Sequence, residues 1–309
     1  MSPASHTAEE SALAAVAGVL SCPVCGRGLL CADRVLRCDL GHSFDIARQG
    51  YVSLLTGAAT KLTGDTAEML DARAAFQGSG FFEPIAEAVA AAVVASRVPG
   101  TVEQAGAAAP RVSGADEVIA EIGAGTGYYL ARVLNAVPAA RGIAVDIAKP
   151  AGRRSARAHP RAAAVVADVW RGLPVRDHTL TAALSVFAPR NPEAVARSLV
   201  PGGRYLVVTP TVRHLAELIG PIGMVTVDPD KERRLADGMS GLFTRLDSTA
   251  VEYSMTVTRA DIARLVAMGP SAHHAAAASE RIDRLPEPFE VTASVTVGTY
   301  AAFHAPAGG

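Results

Sequence analysis

Four residues near the start of the chain have the types and the spacing of a zinc site. Cys22, Cys25, Cys38 and His42 form the pattern C-x2-C-x12-C-x3-H. Zinc prefers four tetrahedral donors, and two closely spaced pairs of thiolate and imidazole ligands can supply them. Four protein ligands leave no open position, so the pattern predicts one structural zinc ion that stabilises a short segment. The alternative is a group of buried cysteines beside a surface histidine.

A glycine-rich loop further along the chain could hold a nucleotide cofactor. Residues 121–127 read Glu-Ile-Gly-Ala-Gly-Thr-Gly, after an apolar run and before a helix expected to start at Tyr128. The glycines follow G-x-G-x-G rather than the G-x-G-x-x-G of nicotinamide enzymes, which indicates S-adenosylmethionine. We expect the glycines to let the backbone approach a ligand that any β-carbon would block.

Two aspartates after the next two predicted strands could contact the same cofactor. Asp146 ends the second strand, where a carboxylate can accept hydrogen bonds from both ribose hydroxyls. Asp168 ends the third strand and could accept a hydrogen bond from the adenine amino group. The alternative is that both aspartates are helix caps or turn residues.

These residues need a fold that brings the ends of successive strands together, and the pattern from residue 116 onward predicts one. Strands alternate with mostly helical stretches, which indicates an α/β fold with a largely parallel, doubly wound sheet. Seven strands are predicted, over residues 117–122, 142–147, 163–169, 181–187, 204–209, 250–256 and 291–299. With the glycine loop, this predicts the Rossmann-like class I fold of S-adenosylmethionine-dependent methyltransferases, preceded by a zinc ribbon.

The segment before the sheet reads as a helical connector. Residues 65–96 are predicted to form two helices separated at 78–80, and Asp65 is the expected N-cap of the first. The whole chain then divides into four predicted regions. They are a flexible leader at 1–18, a zinc ribbon at 19–55, a helical connector and linker at 56–115, and the methyltransferase domain at 116–309.

Composition limits the classes of protein and partner. The chain has 309 residues, half of them hydrophobic, which allows one substantial domain and a small module. The formal net charge of −1 gives no overall polyanion signal, so any nucleic-acid surface must be a local patch. The four cysteines cluster within residues 22–38, which favours metal binding over disulfides. The longest apolar stretch, 88–95, is too short to span a bilayer, and we expect a soluble cytoplasmic protein without a membrane partner.

Arginines in two regions are candidates for RNA contact. Arg34, Arg37 and Arg48 lie in the ribbon, whereas Arg153 and Arg157 lie four residues apart after the second predicted strand. At helical spacing, Arg153 and Arg157 share one face of a basic stripe. Phosphate contact is one interpretation of this stripe, and a solvated helix face is the other.

The segment after the fourth predicted strand limits the acceptor chemistry. Residues 186–192 read Val-Phe-Ala-Pro-Arg-Asn-Pro, not the Asn/Asp-Pro-Pro-aromatic sequence of enzymes that methylate exocyclic amines. Ring nitrogen, oxygen and carbon acceptors therefore stay open. His214, after the fifth strand, could contact the cofactor carboxylate or orient the target base, or could simply be a surface residue at a helix start. His214 and Asp168 are the candidate catalytic residues for removing a proton.

On these residues, the chain resembles the 23S rRNA guanine-N1-methyltransferases over about residues 18–300. The resemblance lies in the Cys22-Pro-x-Cys25 and Cys38-x3-His42 pairs, residues 44–52 and 65–73, the glycine loop, and Arg213-His214-Leu215. Residues 186–192 and 266–271 are most similar to the actinobacterial branch that protects producers of tylosin- or mycinamicin-type macrolides.

The resemblance implies methylation of N1 of a guanine in hairpin 35 of 23S rRNA, at position 748 in the Gram-positive branch. It also implies S-adenosylmethionine as cofactor, one structural zinc ion, and a homodimer whose paired ribbons help to form an RNA cleft. Phe82 stands where the family has a tyrosine, so a hydrogen bond from that hydroxyl is lost, and Glu121 replaces a more common aspartate. The expected cofactor site is Phe82, Glu121, Gly123, Ala124, Gly125, Gly127, Tyr128, Asp146, Asp168 and His214.

Two other functions stay open from the residues themselves. One is a small-molecule methyltransferase whose ribbon serves dimerisation, and the ribbon counts weakly against it. The other is a non-catalytic RNA-binding scaffold. The intact glycines of residues 121–127 and Asp146 count against the scaffold.

Overall fold

The computed structural model describes residues 11–57, 64–97, 117–269 and 275–303. The strands are β1 Leu30–Ala32, β2 Val35–Arg37, β3 Ser43–Asp45, β4 Tyr51–Ser53, β5 Val118–Ile122, β6 Arg141–Asp146, β7 Ala162–Val166, β8 Leu180–Val186, β9 Leu199–Pro210, β10 Phe243–Val257 and β11 Phe289–Ala302. The α-helices are α1 Ala12–Val16, α2 Ala67–Gly78, α3 Glu83–Ala95, α4 Tyr128–Ala136, α5 Lys149–Ser155, α6 Pro192–Ser198, α7 Ile219–Ile222, α8 Lys231–Met239, α9 Arg259–Ala267 and α10 Ala275–Asp283.

The main sheet has the predicted doubly wound topology. Its order is β10-β11-β9-β8-β5-β6-β7-β4, with β7, β6, β5, β8 and β9 parallel to one another. The last two strands, β10 and β11, run antiparallel and extend the sheet beyond β9. The strand order reverses beside β5, as it does in doubly wound sheets. The predicted class I fold with an N-terminal ribbon is therefore confirmed.

The sheet has one strand more than the seven that were predicted. The extra strand is β4, which pairs in parallel with β7 so that Val52 lies opposite Val165. Three residues are too few to show a strand period, and parallel pairing depends on a neighbour far away in sequence. The strand lies at the end of the predicted ribbon segment and joins the ribbon to the edge of the sheet.

The central strands are apolar because both faces of the sheet are covered. Every residue of β5 and β7 is buried, as expected for parallel strands between two layers. On one face, Ile85 of α3 and Leu130 of α4 belong to the core that includes Ile119. On the other face, Leu36 of the ribbon shares a core with Val118. The ribbon therefore packs as part of the domain's second layer.

The segment before the ribbon differs from the predicted flexible leader. Ser11 caps α1, whose Leu13 and Val16 are buried in the second core layer. Burial of these two side chains orders the chain from residue 11. It depends on packing against the sheet, which the apolar run at residues 12–20 does not by itself reveal. Backbone hydrogen bonds also hold the ribbon, from Ser21 N to the Pro174 carbonyl at 3.0 Å. Residues 1–10 lie outside the described ranges.

The connector forms the two predicted helices, α2 and α3, with the break after Gly78. The N-cap of α2 is Thr66, whose hydroxyl accepts a hydrogen bond from Met69 N at 3.2 Å, so the prediction of Asp65 was wrong. The Asp65 carboxylate instead pairs with Arg73, 2.5 Å away. The predicted linker and the boundary at 115 and 116 lie outside the described residues.

Within the described ranges, no single helix combines the length and the apolar character needed to cross a membrane. Taken together, α2 and α3 pass that test, but they are bent by 84° at the break between them.

Candidate active site and zinc centre

The predicted zinc ligands converge in the ribbon. Cys25 Sγ lies 3.7 Å from Cys38 Sγ, and His42 Nδ1 lies 3.6 Å from Cys22 Sγ and 3.3 Å from Cys38 Sγ. All four ligand atoms lie within 4.8 Å of one another. A tetrahedral zinc ion with ordinary bond lengths separates sulfur atoms by about 3.8 Å and sulfur from nitrogen by about 3.5 Å. The group therefore fits one structural zinc ion, which His42 ligates through Nδ1.

A cavity of about 1020 Å³ lies at the carboxyl ends of the parallel strands, where their order reverses. Open α/β sheets bind ligands at this switch point. The volume is at the top of the range of about 300–1000 Å³ for small-molecule sites, which is enough for a nucleotide-sized cofactor. Seven of the ten predicted cofactor residues line the cavity: Phe82, Glu121, Gly123, Ala124, Asp146, Asp168 and His214.

The glycines of the loop are required by the protein's own packing. Gly123, Gly125 and Gly127 have φ angles of +68°, +53° and +77°, in the left-handed region that favours glycine. A β-carbon at Gly123 would lie 2.7 Å from that of Ala188, and one at Gly127 would lie 2.8 Å from that of Ala158. Protein atoms thus fill the space that was expected to admit a ligand. Gly125 and Gly127 do not line the cavity.

Asp146 combines the role of a turn residue with a position in the cavity wall. Its Oδ2 accepts a hydrogen bond from Gly125 N at 2.9 Å, and its Oδ1 accepts one from Ala148 N at 2.9 Å. Burial raises the pKa of Asp146, although these two amides act in the opposite direction. A carboxylate has about four acceptor positions, so two stay available for hydroxyl donors.

Asp168 is also both a cap and a cavity residue. Its Oδ1 accepts a hydrogen bond from Trp170 N at 3.1 Å and caps a 3-10 helix at Val169–Arg171. The capping bond uses one of its two oxygens. The other is available to a ligand in the cavity that Asp168 lines.

The hydrogen bonding of His214 decides its proton state. Its Nδ1 accepts a hydrogen bond from Ser294 N at 3.1 Å, so the neutral ring carries its proton on Nε2. Burial, followed by the positive charge of Lys231, lowers the pKa of His214 to about 4. At neutral pH the free ring nitrogen is therefore a donor. This contradicts His214 as a general base and leaves it as a hydrogen-bond donor in the cavity.

Glu121 supports the helix that follows the loop. The residue is 1% exposed, and its Oε2 accepts a hydrogen bond from Leu130 N at 3.0 Å, in the first turn of α4. Burial, with the charge of Asp146, raises the pKa of Glu121 to about 8. Glu121 is thus protonated at neutral pH and contributes a neutral carboxyl to the cavity wall.

The cavity wall also has an unsatisfied polar atom, which sequence reasoning missed. The buried hydroxyl of Tyr129 lies beside the side chain of Gln77, but it makes no hydrogen bond of ordinary geometry with any described residue. Buried polar atoms normally have partners, so this group fits the polar end of a bound cofactor. Its neighbour Tyr128, which was predicted at the site, does not line the cavity and packs under Arg132 instead.

Arg73 is a second cavity residue to which sequence reasoning gave no role. It donates to the Asp65 carboxylate and to the Met268 carbonyl at 2.7 Å, which ties α2 to the end of α9. The only signal for Arg73 in the sequence was that it lies in segment 65–73, one of the segments in which the chain resembles the family. Gln77 and Tyr129 had no such signal, because each depends on the packing of α2 and α4 against the sheet.

The predicted RNA-binding arginines fall into two groups. Arg34 donates to the Ala47 carbonyl at 2.9 Å and so holds a turn of the ribbon. The side chains of the other four are exposed and make no ion pair or hydrogen bond with the described residues: Arg37, Arg48, Arg153 and Arg157. Because α5 ends at Ser155, Arg153 and Arg157 do not share a helix face as predicted. Gly152 and Pro160 near this end limit the helix to two turns.

The N-terminal part of the chain matches a family of zinc ribbons. Residues 20–58 match the zinc-ribbon family described as RlmA, N-terminal. Among solved structures, the chain is similar to precorrin-6y C5,15-methyltransferase from Geobacter metallireducens, with a TM-score of 0.39 and 14% identity, covering 69% of this chain and 86% of that one.

Relatives with similar sequences cover nearly the whole chain. A Streptomyces fradiae 23S rRNA (guanine(748)-N1)-methyltransferase is 46% identical over 90% of this chain and 94% of its own length. A Micromonospora griseorubida protein assigned to the 23S rRNA (guanine-N1)-methyltransferases is 47% identical over 91% of this chain and 96% of its own length. With this identity, and with the ribbon and the doubly wound sheet both in place, the chain belongs to the family of 23S rRNA (guanine-N1)-methyltransferases.

Proposed function

We propose that this protein transfers a methyl group from S-adenosylmethionine to N1 of guanine 748 in hairpin 35 of 23S rRNA, and that this confers resistance to tylosin- and mycinamicin-type macrolides. The observation that carries the proposal is the 46% identity, over 90% of the chain, to the Streptomyces fradiae enzyme named for that nucleotide. The cavity at the switch point supports it, because open α/β sheets bind ligands there and most of the residues predicted to hold the cofactor line it.

The residues around the cavity fit S-adenosylmethionine. Asp146 has free acceptor positions for ribose hydroxyls, and Asp168 has a free oxygen for the adenine amino group. Tyr129 and Gln77 offer polar atoms for the methionine end. When bound, S-adenosylmethionine supplies a methyl group whose bond to sulfur breaks, leaving its electron pair on sulfur, as the bond to guanine N1 forms and the N1 proton passes to water. The chain contributes mainly alignment of the two reactants.

The proton on guanine N1 leaves without help from His214. The Nε2–H of His214 can donate to a carboxylate or a carbonyl oxygen, and in that way it orients the cofactor or the base. Of the two predicted bases, only Asp168 keeps a free oxygen that could accept a proton in the cavity. Asp168 follows β7, however, whereas the segment predicted to face the acceptor follows β8. We therefore assign His214 to positioning, with the proton released to solvent.

The ribbon recognises RNA in this proposal, and two copies of the chain act together as a homodimer. Arg37 and Arg48 support RNA recognition, because both are exposed and unpaired among the described residues. Unpaired surface arginines are suited to phosphate contact. The homodimer follows from the family resemblance, and light scattering of the purified chain tests it directly.

Reverse transcription across hairpin 35 tests the reaction. Methylation removes the N1 donor used in Watson–Crick pairing, so a new stop is expected beside guanine 748 after incubation with protein and S-adenosylmethionine. The matched control is RNA with adenine at that position, where the stop should vanish. A stop at another guanine would overturn the assigned nucleotide, and no stop with cofactor bound would favour a small-molecule acceptor.

Resistance needs a separate test in cells. Expression of the chain in a macrolide-susceptible bacterium should raise the inhibitory concentration of tylosin, because the added methyl group changes the drug's binding surface. The control is the Asp146→Ala variant, which should methylate poorly. Equal inhibitory concentrations for cells with and without the protein would contradict the resistance function.

A further inference from the structure

The cavity wall after β8 contains an aromatic residue in a strained conformation. Phe187 directly follows Val186, the last residue of the strand, and has a φ angle of +54°. A bulky residue in the left-handed region is uncommon, and it persists only where the surroundings hold it. Phe187 N donates to the Val208 carbonyl at 3.2 Å, and the residue is 39% exposed. The strain therefore keeps a phenyl ring at the cavity rather than in the core.

The ring of Phe187 packs against three other aromatic rings. It stacks on His214, with centroids 5.6 Å apart and an angle of 26°. Phe82 and Tyr129 lie beside it at 6.0 and 6.4 Å. A rigid, partly exposed aromatic ring is the usual surface on which proteins stack an unpaired base.

The same wall contains two cations that form no ion pair with the described residues. Arg190 and Lys231 line the cavity, are half-buried, and make no ion pair with any described residue. Burial and the neighbouring charges of Arg190 and Arg234 lower the pKa of Lys231, and the weaker effect of the Asp228 carboxylate does not offset them. In contrast, Arg234 in the same cavity is paired with Asp228.

Two partly buried cations that repel each other need an anion. S-adenosylmethionine has two positive groups, the sulfonium and the ammonium, and only one carboxylate, so it does not supply net negative charge. A nucleotide supplies both a base to stack and a phosphate to bind. Arg190 lies three residues after Phe187, which places the stacking surface and the positive charge on one segment.

We propose that Phe187, Arg190 and Lys231 form the subsite for the target nucleotide. The extruded base stacks on Phe187, and a phosphate next to it binds the two cations. Ala188, between the ring and Arg190, contacts the glycine loop, since its β-carbon lies 2.7 Å from the β-carbon position at Gly123. This contact places the subsite directly beside the predicted methyl donor. The inference rests on the proposed function, because it requires an RNA acceptor.

Paired substitutions at Phe187 test the stacking. Phe187→Leu keeps the bulk but removes the aromatic face, and Phe187→Tyr keeps the face. In single-turnover methylation of a hairpin 35 RNA, we expect Phe187→Leu to slow transfer about 10- to 100-fold and Phe187→Tyr to restore it. Affinity for S-adenosylmethionine, measured by calorimetry, should stay near that of the wild type in both.

Charge removal tests the phosphate contact. The double variant Arg190→Gln/Lys231→Gln should weaken RNA binding and reduce the slope of log affinity against log salt by about one. Arg234→Gln removes a paired cation from the same cavity and is the matched control, with the salt slope expected to stay unchanged. Thermal unfolding of each variant shows that it is folded.

The possible outcomes separate this inference from the proposed function. If the wild type methylates the RNA and the Phe187→Leu variant does so equally fast, the proposed subsite is wrong and the proposed function still holds. A double variant that loses cofactor affinity but keeps the salt slope would assign the cations to the cofactor carboxylate and overturn their role. A folded wild-type protein that methylates no RNA would overturn both.

Discussion

The two ends of the cavity differ in how far the protein itself satisfies the groups that line them. At the glycine-loop end, both oxygens of Asp146 accept backbone amides, and Asp168 caps a helix. At the end after β8, Phe187 is exposed and strained, and Arg190 and Lys231 form no ion pair with the described residues. The first end is therefore preorganised for one constant ligand. The second end has charge and aromatic surface that only an arriving ligand satisfies.

We expect the ribbon to serve RNA binding together with the end of the cavity after β8, and not cofactor binding. Removal of its zinc ion should therefore have the largest effect on methylation. Cys22→Ser should lose the metal, since three ligands bind zinc far more weakly than four. We expect RNA methylation to be lost while S-adenosylmethionine still binds, as measured by metal analysis, methylation assay and calorimetry.

Cys31→Ser is the matched control for this change, because Cys31 is not among the four clustered ligands. It should keep both zinc and methylation. A folded Cys22→Ser variant without cofactor affinity would contradict the separation between RNA recognition and the cofactor end.

At the glycine-loop end of the cavity, the loss of Asp146 should have the largest effect on cofactor affinity. Asp146→Ala leaves the amides of Gly125 and Ala148 without an acceptor, at about 1–3 kcal/mol for each buried group. Affinity for S-adenosylmethionine should fall about 10- to 100-fold, measured by calorimetry, together with the unfolding free energy.

Asp146→Asn keeps one acceptor oxygen and should lie between the wild type and Asp146→Ala. If Asp146→Ala bound the cofactor normally, the glycine-loop end would not be organised by this carboxylate.

The pH dependence of stability tests the state of His214, which lies under the second end. Its folded pKa of about 4 is below the unfolded value of about 6.5. The unfolded chain therefore binds a proton first as the pH falls. The stability from the neutral ring is complete above pH 6.5 and is lost as the pH falls from 6.5 to 4, by roughly 3 kcal/mol.

His214→Asn is the control, because its side-chain oxygen can accept from Ser294 N but does not titrate. The difference in unfolding free energy between wild type and variant, measured by denaturant titration, should shrink as the pH falls. A constant difference from pH 7 to pH 4 would show that His214 is not held neutral.

Glu121→Gln should give the smallest effect on activity. The folded state holds the Glu121 proton up to about pH 8, whereas the unfolded chain releases it near pH 4.5. An amide can replace a protonated carboxyl and still accept from Leu130 N. Cofactor affinity and methylation at pH 7 should therefore change less than about twofold.

The pH dependence of the unfolding free energy gives a second test of the Glu121→Gln variant. Wild-type stability from Glu121 is present below pH 4.5 and is lost as the pH rises towards 8, whereas glutamine does not titrate. The variant should gain relative stability over that interval in denaturant titrations. A large loss of cofactor affinity in Glu121→Gln would instead show that Glu121 binds the cofactor as an anion.

Several features could be predicted because they depend on residues close together in the chain. The zinc ligands form two short pairs, so their convergence needs only local turns. All seven predicted strands of the main sheet occur. The buried parallel strands among them read as continuous apolar runs. The positions of Asp146 and Asp168 followed from the ends of those strands.

Other features could not be predicted, because they depend on contacts between distant segments. The sheet position of β4 depends on β7, and the order of residues 11–18 depends on burial of Leu13 and Val16. The proton position on His214 is decided by Ser294, eighty residues further along the chain.

By itself, the sequence determined the metal-ligand cluster, the fold class and the position of the glycine loop, since each is a pattern of residue types along the chain. Only the tertiary structure decided which charged groups are neutralised. It pairs Arg73 with Asp65 and Arg234 with Asp228, but it leaves Arg190 and Lys231 without partners among the described residues. Composition counts charges but does not locate them, and an ion pair depends on distances of a few ångströms that only the folded chain sets.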